Sequence, residues 1–154
     1  MRFTFKNFLT FLICLLPPAL CSLTGAFFRP GLWYQDLIKP AWTPPGFVFP
    51  IAWTILYLFM GVTLFHLWNS QKLKGKESFL YGMQFVFNGA WSPLFFGAHQ
   101  IGKGLVVLFL LWNTILCFLY LIKKNSLLFG LNLIYFLWLT YALSLNGAIY
   151  LMNP

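Results

Sequence analysis

Apolar residues fill five long stretches of the chain, and charged residues occur only at their borders. The uncharged stretches are 19 to 32 residues long. A membrane-spanning helix needs roughly 20 consecutive, predominantly apolar residues. The pattern therefore predicts five transmembrane helices. They cover about residues 8–28, 47–68, 78–98, 104–122 and 126–150.

Composition supports the membrane interpretation. Of the 154 residues, 60% are hydrophobic and only 8% are charged, whereas a soluble domain carries about 25% charged residues. The prediction is an all-α integral membrane protein, a bundle of five transmembrane helices that forms a single domain over residues 1–154, with a first loop at residues 29–46. A signal peptide is the alternative for the first stretch, but the run is long for one, and Pro17-Pro18 interrupts it as prolines do in spanning helices.

Basic residues set the expected orientation. The net charge is +8, but the basic residues form short clusters at helix ends, which favours a membrane protein over one that binds nucleic acid. Seven lie on one side and three on the other: Arg2, Lys6, Lys72, Lys74, Lys76, Lys123 and Lys124, against Arg29, Lys39 and Lys103. The positive-inside rule places the N-terminus in the cytoplasm, and the first loop and C-terminus on the opposite side. The expected membrane is a bacterial cell membrane or, in a eukaryote, the mitochondrial outer membrane.

Asp36 and Glu77 are the only carboxylate side chains in the sequence, and both lie outside the predicted helices. Proton-coupled transport through buried carboxylates and hydrolysis by a carboxylate pair are therefore excluded. His66 and His99 fall at opposite membrane faces in the predicted topology, so they cannot share a metal. The prediction is a protein that requires no metal or cofactor and acts through aromatic and amide side chains.

Polar and aromatic residues inside the predicted helices recur at helical spacing. Gln84, Asn88 and Trp91 lie on one face of the third helix, with Phe95 one turn further on. Amides and small residues at such positions stabilise helix packing by about 0.6–2 kcal/mol per contact, which is one interpretation. The other is a cavity for a flat hydrophobic ligand with a few polar edges. Similar sets occur on the second and fifth helices: Trp53 with Tyr57, and Trp138 with Ala142, Leu145 and Asn146.

Four sequence blocks combine Trp with Pro, Tyr or Asn, and they lie in the first loop and in the second, third and fifth predicted helices. In order, they are Trp33-Tyr34-x-x-Leu37-x-Lys39-Pro40-x-Trp42-x-Pro44-Pro45, Pro50-x-x-Trp53-x-x-Leu56-Tyr57-x-x-Met60-Gly61, Asn88-x-x-Trp91-Ser92-Pro93-x-Phe95-Phe96-Gly97 and Tyr135-x-x-Trp138-x-x-Tyr141-Ala142-x-x-Leu145-Asn146. Their order and spacing resemble those of the tryptophan-rich sensory protein family. That family includes the mitochondrial translocator protein, also called the peripheral benzodiazepine receptor.

The resemblance implies a bundle of five helices, commonly a homodimer, with a ligand cavity under the first loop. It implies binding of porphyrins such as protoporphyrin IX, of haem-type tetrapyrroles and of benzodiazepine-type drugs, while sterol binding belongs to some members. The sterol pattern of those members needs a basic residue near the C-terminus, and residues 150–154 contain none. A weak match to such a pattern runs from Leu116 through Tyr120 to Lys123.

From the resemblance and the shared helical faces, we predict a cavity inside the bundle that the first loop covers as a structured lid. Prolines in this loop fix backbone dihedrals and lower the entropy lost when it becomes ordered. The alternative is that its aromatic residues form only an interfacial belt. The predicted ligand-binding residues are Tyr34, Trp42, Pro44, Trp53, Asn88, Trp91, Phe95, Trp138, Ala142, Leu145 and Asn146.

The predicted function is a membrane translocator or sensor whose partners are the lipid bilayer and a tetrapyrrole or other flat hydrophobic molecule. The resemblance also suggests an enzyme that degrades porphyrin with light and oxygen, in which Trp53 and Trp138 would be redox-active beside the ligand. A third alternative is a non-catalytic scaffold in a membrane complex. A scaffold should show no saturable porphyrin binding, which separates it from the other two.

Overall fold

The computed structural model describes residues 4–70 and 75–154, in which the regular elements are helices and no strand occurs. Arg2, Lys72 and Lys74 of the predicted basic count lie outside the described residues. The helices end close to the ends of the predicted apolar stretches, because polar and turn-forming residues mark the limits of the helices and of the stretches alike. The elements are α1 (Phe5–Cys14), α2 (Leu16–Phe27), α3 (Leu32–Asp36), α4 (Val48–Asn69), α5 (Lys76–Ser92), a π-helical turn (Pro93–Gly97), α6 (Ile101–Ile122) and α7 (Ser126–Met152).

Four segments of the described chain are long and apolar enough to cross a membrane. They are Phe5–Phe27, which combines α1 and α2, together with Val48–Asn69, Ile101–Ile122 and Ser126–Met152. Helix α5 has 17 residues and is not one of the four, although α5 and the π-helical turn together cover most of the predicted third helix. The all-helical membrane class is therefore confirmed.

The first membrane segment is interrupted between α1 and α2. Thr4 caps α1, where its Oγ1 accepts a hydrogen bond from the Asn7 N–H at 3.3 Å. Pro17 and Pro18 occupy the first turn of α2. Backbone N–H groups in a first turn have no acceptor within the helix, so proline costs no helical hydrogen bond there. Helix α1 packs against α4, and α2 packs against both α4 and α5. This segment thus closes one side of the bundle.

The helices form a closed ring. In order around it, α2 contacts α4, α4 contacts α7, α7 contacts α6, α6 contacts α5, and α5 contacts α2. Packing is most extensive along α6 and sparser between α4 and α7. Inside the ring, Tyr81, Ile115, Phe118 and Leu139 have no exposed surface, while the outer surface is largely apolar, as contact with lipid requires. The junction of α4 and α7 is the least densely packed side of this ring.

A π-helical turn extends α5 at the end of the bundle that faces the first loop. The Ala98 N–H donates to the Pro93 carbonyl at 2.8 Å, five residues earlier in the chain instead of the four of an α-helix. A proline in a helix has no N–H to donate, and its ring crowds the preceding turn. His99 then ends the segment with a φ of 56°, which is uncommon for a residue other than glycine. The turn carries Phe95 and Phe96 beneath the first loop.

Candidate ligand site

An aromatic seam lies along the junction of α4 and α7. It consists of Phe49, Trp53 and Tyr57, spaced four residues apart on α4, and of Tyr135 and Trp138 on α7. Trp53 stacks on Tyr57 with ring centroids 5.4 Å apart and meets Tyr135 edge-on at 6.4 Å. Phe49 meets Trp138 edge-on at 6.1 Å. Aromatic surfaces at a sparsely packed helix junction suit a flat apolar ligand.

Buried hydrogen bonds link this seam to α5. Asn88 Nδ2 donates to the Tyr135 hydroxyl at 2.9 Å, and that hydroxyl donates to Gln84 Oε1 at 3.2 Å. The Tyr57 hydroxyl donates to Asn88 Oδ1 at 3.4 Å. Gln84 and Tyr135 are almost completely buried, and hydrogen bonds strengthen one another in such an environment of low dielectric constant. The network therefore fixes the orientation of the Asn88 amide inside the ring.

Two buried donors, Trp138 Nε1 and Gln84 Nε2, make no hydrogen bond with any residue that the structure describes. Leaving a buried donor without an acceptor costs roughly 1–3 kcal/mol. Such groups are few in native interiors, and each one calls for an explanation. Both nitrogens are therefore candidates to donate to an acceptor atom of a ligand that enters the seam.

A second group of aromatic residues, the loop-end cluster, lies between the first loop and the π-helical turn. Trp91 stacks on Phe95 with centroids 5.1 Å apart. Tyr34 of the loop meets Phe95 edge-on at 6.1 Å and Phe96 at 5.2 Å. The Trp91 indole nitrogen donates to Asn146 Oδ1 at 3.1 Å, which connects the cluster to α7. The loop thus rests on the bundle through its aromatic side chains.

Further contacts hold the short helix α3 in place. Trp33 stacks on His99 with centroids 4.3 Å apart and planes 10° from parallel, which orients the residue that has the positive φ. Lys39 Nζ lies 5.0 Å from the centre of the Tyr34 ring, within the range of a cation–π interaction. Burial raises the pKa of the Tyr34 phenol above its ordinary value, and the nearby Tyr141 phenol adds to the shift. Tyr34 is therefore neutral at physiological pH.

The first loop is also hydrogen-bonded to α7. Asn153, just after α7, accepts from the Ile38 N–H at 2.9 Å through Oδ1 and donates to the Ile38 carbonyl at 2.9 Å through Nδ2. The Tyr141 hydroxyl donates to the Trp42 carbonyl at 2.8 Å. One amide side chain thus satisfies both backbone groups of Ile38. We call this pair of hydrogen bonds the Asn153 clamp.

The predicted site residues fall into two groups. The seam and its hydrogen bonds contain Trp53, Asn88 and Trp138, and the loop-end cluster and its partner contain Tyr34, Trp91, Phe95 and Asn146. Ala142 is half-buried between the groups, Leu145 is buried, and Pro44 is half-buried in the loop. Trp42 differs from the others, because it contributes its carbonyl while its side chain is 54% exposed. Helices α5 and α7 join the two groups into one region.

Tyr135 and Asn153 are central to this region but absent from the predicted set. Tyr135 occurs in the fourth sequence block, and its position three residues before Trp138 on one helical face is a signal that could have indicated it. Asn153 has no comparable signal, because its partner Ile38 lies 115 residues away in the sequence. Only the folded chain brings these two residues together.

These features define a helical, multi-pass membrane protein whose interior contains aromatic and amide side chains and whose first loop packs against one end of the bundle. The chain belongs to the TspO/MBR family, whose family model matches residues 13–151. The resemblance seen in the four sequence blocks is thereby confirmed.

Relatives of this family occur in bacteria and animals. The chain is 35% identical over 141 residues to Protein CrtK of Rhodobacter capsulatus, with 88% of each chain covered. It is 33% identical over 147 residues to a tryptophan-rich sensory protein of Cereibacter sphaeroides, with coverage of 95% of this chain and 90% of the relative. It is 37% identical over 102 residues to the translocator protein of Homo sapiens, with coverage of 62% of this chain and 60% of the relative.

Proposed function

We propose that this chain is a membrane translocator or sensor that binds a flat tetrapyrrole, such as protoporphyrin IX, along the junction of α4 and α7. The observation that carries the proposal is the buried Trp138 Nε1, which lies in the aromatic seam and has no acceptor among the described residues. An indole ring offers a stacking face, and its N–H offers a hydrogen bond at the edge. One residue thus supplies both interactions that a porphyrin face and its polar periphery need.

In this proposal the first loop acts as a lid. Its aromatic residues contact the loop-end cluster, and the Asn153 clamp attaches it to α7. Opening the loop breaks the two hydrogen bonds of the clamp, each of which contributes about 0.5–1.5 kcal/mol. A lid held by a few such contacts can open for ligand entry and close again, as gating loops do.

The proposal includes five membrane spans. The 17 residues of α5 and the 5 residues of the π-helical turn extend about 30 Å, which matches the hydrocarbon thickness of a bilayer. The N-terminus then lies on the cytoplasmic side and the first loop on the other. We further propose that the membrane is a bacterial cell membrane and that the protein is a homodimer.

The test is a titration of the purified protein with protoporphyrin IX, followed by the shift of the porphyrin absorbance band. Trp138→Phe keeps an aromatic ring but removes the N–H, so we expect affinity to fall about two- to tenfold, the equivalent of one hydrogen bond. Ala142→Leu adds volume between the two groups of site residues. Overpacking costs about 1–3 kcal/mol, so we expect the affinity for protoporphyrin IX to fall about five- to 150-fold. The matched control is Trp68→Phe, an exposed indole at the far end of α4.

Thermal unfolding without ligand separates a binding effect from a folding effect. Trp138→Phe removes a buried donor that lacks an acceptor, which offsets part of the packing lost with the smaller ring, so the unfolding temperature of the free protein should change little. Parental affinity in both site variants would contradict the proposed site, and the absence of saturable binding in the parent protein would favour a scaffold. Porphyrin absorbance recorded in light and in darkness tests the enzyme alternative, which requires loss of porphyrin in light alone.

A further inference from the structure

An apolar groove of about 550 Å³ lies on the outer face of the bundle, away from the candidate ligand site. It runs between the first turns of α5 and the last turns of α6, where both helices approach the same end of the bundle. From Leu116 to Lys123 the α6 side extends about 10 Å along the helix axis. The lining residues are Lys76, Phe79 and Leu80 of α5, and Leu116, Cys117, Tyr120 and Leu121 of α6.

The wall of this groove is hydrocarbon and its rim is basic. Lys76 lines the groove itself, and Lys123 Nζ lies 4.2 Å from the centre of the Tyr120 ring that forms the opposite edge. Lys124 follows directly in the sequence, and Glu77 is the only acidic residue at this end of the bundle. The net charge around the rim is therefore positive, while the deeper part accepts only apolar groups.

We propose that this groove binds one anionic glycerophospholipid, with an acyl chain along Phe79, Leu80 and Leu116 and the phosphate between Lys76 and Lys123. Basic pockets between membrane helices bind the head groups of acidic lipids, and each nearby lysine favours an anionic lipid about fivefold. Lysine side chains at helix ends extend toward the head-group region while their methylene groups cover apolar surface. The groove thus matches both parts of such a lipid.

Charge distinguishes this occupant from a sterol. Leu116, Tyr120 and Lys123 have the spacing of a weak sterol-contact pattern, but a sterol is uncharged and has no anionic group to offer the two lysines. A second groove, of about 430 Å³, offers an internal comparison. It is also apolar but has no basic lining residue: Leu105, Val106, Phe109, Leu143 and Gly147 surround it.

Cys117 reports directly on occupancy of the proposed groove. Its thiol is exposed, whereas those of Cys14 and Cys21 are buried, so a maleimide reagent should modify Cys117 first, as intact mass will show. We expect phosphatidylglycerol, titrated into the detergent-solubilised protein, to slow this reaction saturably. Phosphatidylcholine and cholesterol should give at least fivefold weaker protection.

Two variants and a control position make the result specific. Lys76→Gln combined with Lys123→Gln should weaken protection by phosphatidylglycerol roughly fivefold for each lysine, while Lys76→Arg with Lys123→Arg should retain it. In a Cys117→Ser, Lys103→Gln background, which also removes the lysine one turn before position 106, Val106→Cys reports on the second groove, where the two phospholipids should protect equally. The proposal is overturned if cholesterol protects Cys117 best, if the glutamine variant keeps the preference, or if position 106 shows the same preference.

Discussion

At Gly104 the lack of a side chain lets α6 approach two residues of the candidate site. A Cβ atom added there would lie 3.0 Å from Phe95 Cδ2, 3.2 Å from Phe95 Cβ and 3.5 Å from Asn146 Oδ1. The backbone of the π-helical turn fixes the position of the Phe95 Cβ, so rotation of the side chain cannot move this atom away. Phe95 stacks on Trp91, and Asn146 accepts a hydrogen bond from the Trp91 indole. The space left by Gly104 therefore permits the present geometry of the loop-end cluster.

Gly104→Ala should therefore destabilise the protein and disturb the site. Overpacking of this kind costs about 1–3 kcal/mol, and we expect a lower unfolding temperature in detergent together with weaker porphyrin binding. Gly82→Ala on α5 is the matched control, because a Cβ there meets no atom within 4 Å. It should be neutral or stabilising by up to about 1 kcal/mol, since alanine is the better helix former. Equal unfolding temperatures for the two variants would contradict this account of Gly104.

Among elements, the first loop depends most on contacts that are distant in sequence. Its aromatic residues rest on the π-helical turn, and its backbone at Ile38 is bound by Asn153 from the end of α7. The amide of Asn153 reproduces the donor and acceptor that a neighbouring strand would present to a backbone. An element with these attachments is ordered by the rest of the molecule more than by its own sequence.

Removing the Asn153 clamp should loosen the loop without unfolding the bundle. Asn153→Ala deletes two hydrogen bonds to Ile38, each worth about 1 kcal/mol, and should speed limited proteolysis within residues 29–46 and weaken porphyrin binding a few-fold or more. Asn113→Ala is a suitable control, because the Asn113 amide donates to the Phe109 carbonyl of its own helix. If both variants are cleaved at the parental rate, Asn153 does not hold the loop.

The helices of this protein could be predicted from sequence more closely than its loop contacts. Charged residues such as Lys103 and Lys124 interrupt long apolar runs, so α6 and α7 begin within a few residues of the predicted positions. The faces that carry Asn88 and Trp138 follow from helical periodicity. The π-helical turn and the Asn153 clamp could not be predicted, because they arise where separate helices meet and have no local periodic signal.

For the whole molecule, the number of membrane spans between two residues decides whether those residues face the same compartment. If α5 with the π-helical turn crosses the membrane, three spans separate Asp36 in the first loop from Lys124 after α6. If it does not, two spans separate them. An odd number places the two residues on opposite sides, and an even number places them on one side.

Cysteine labelling in a cysteine-free background separates these arrangements. With Asp36→Cys and Lys124→Cys made one at a time, we expect an impermeant maleimide applied to intact cells to label position 36 and to reach position 124 only after the membrane is opened. The basic residues Lys123 and Lys124 motivate this expectation, because positive charge accumulates on the cytoplasmic side. Labelling of both positions in intact cells, or of neither, would exclude the five-span arrangement.

The Asn153 clamp has a consequence for the order of events during synthesis. Ile38 leaves the ribosome 115 residues before Asn153, which at about 5–20 residues per second is a delay of roughly 6 to 23 seconds. Throughout that interval the first helices can insert while Ile38 has no partner in place. A nascent chain arrested before residue 153 should therefore expose a protease-sensitive first loop, and protection should appear only after Asn153 has left the ribosome.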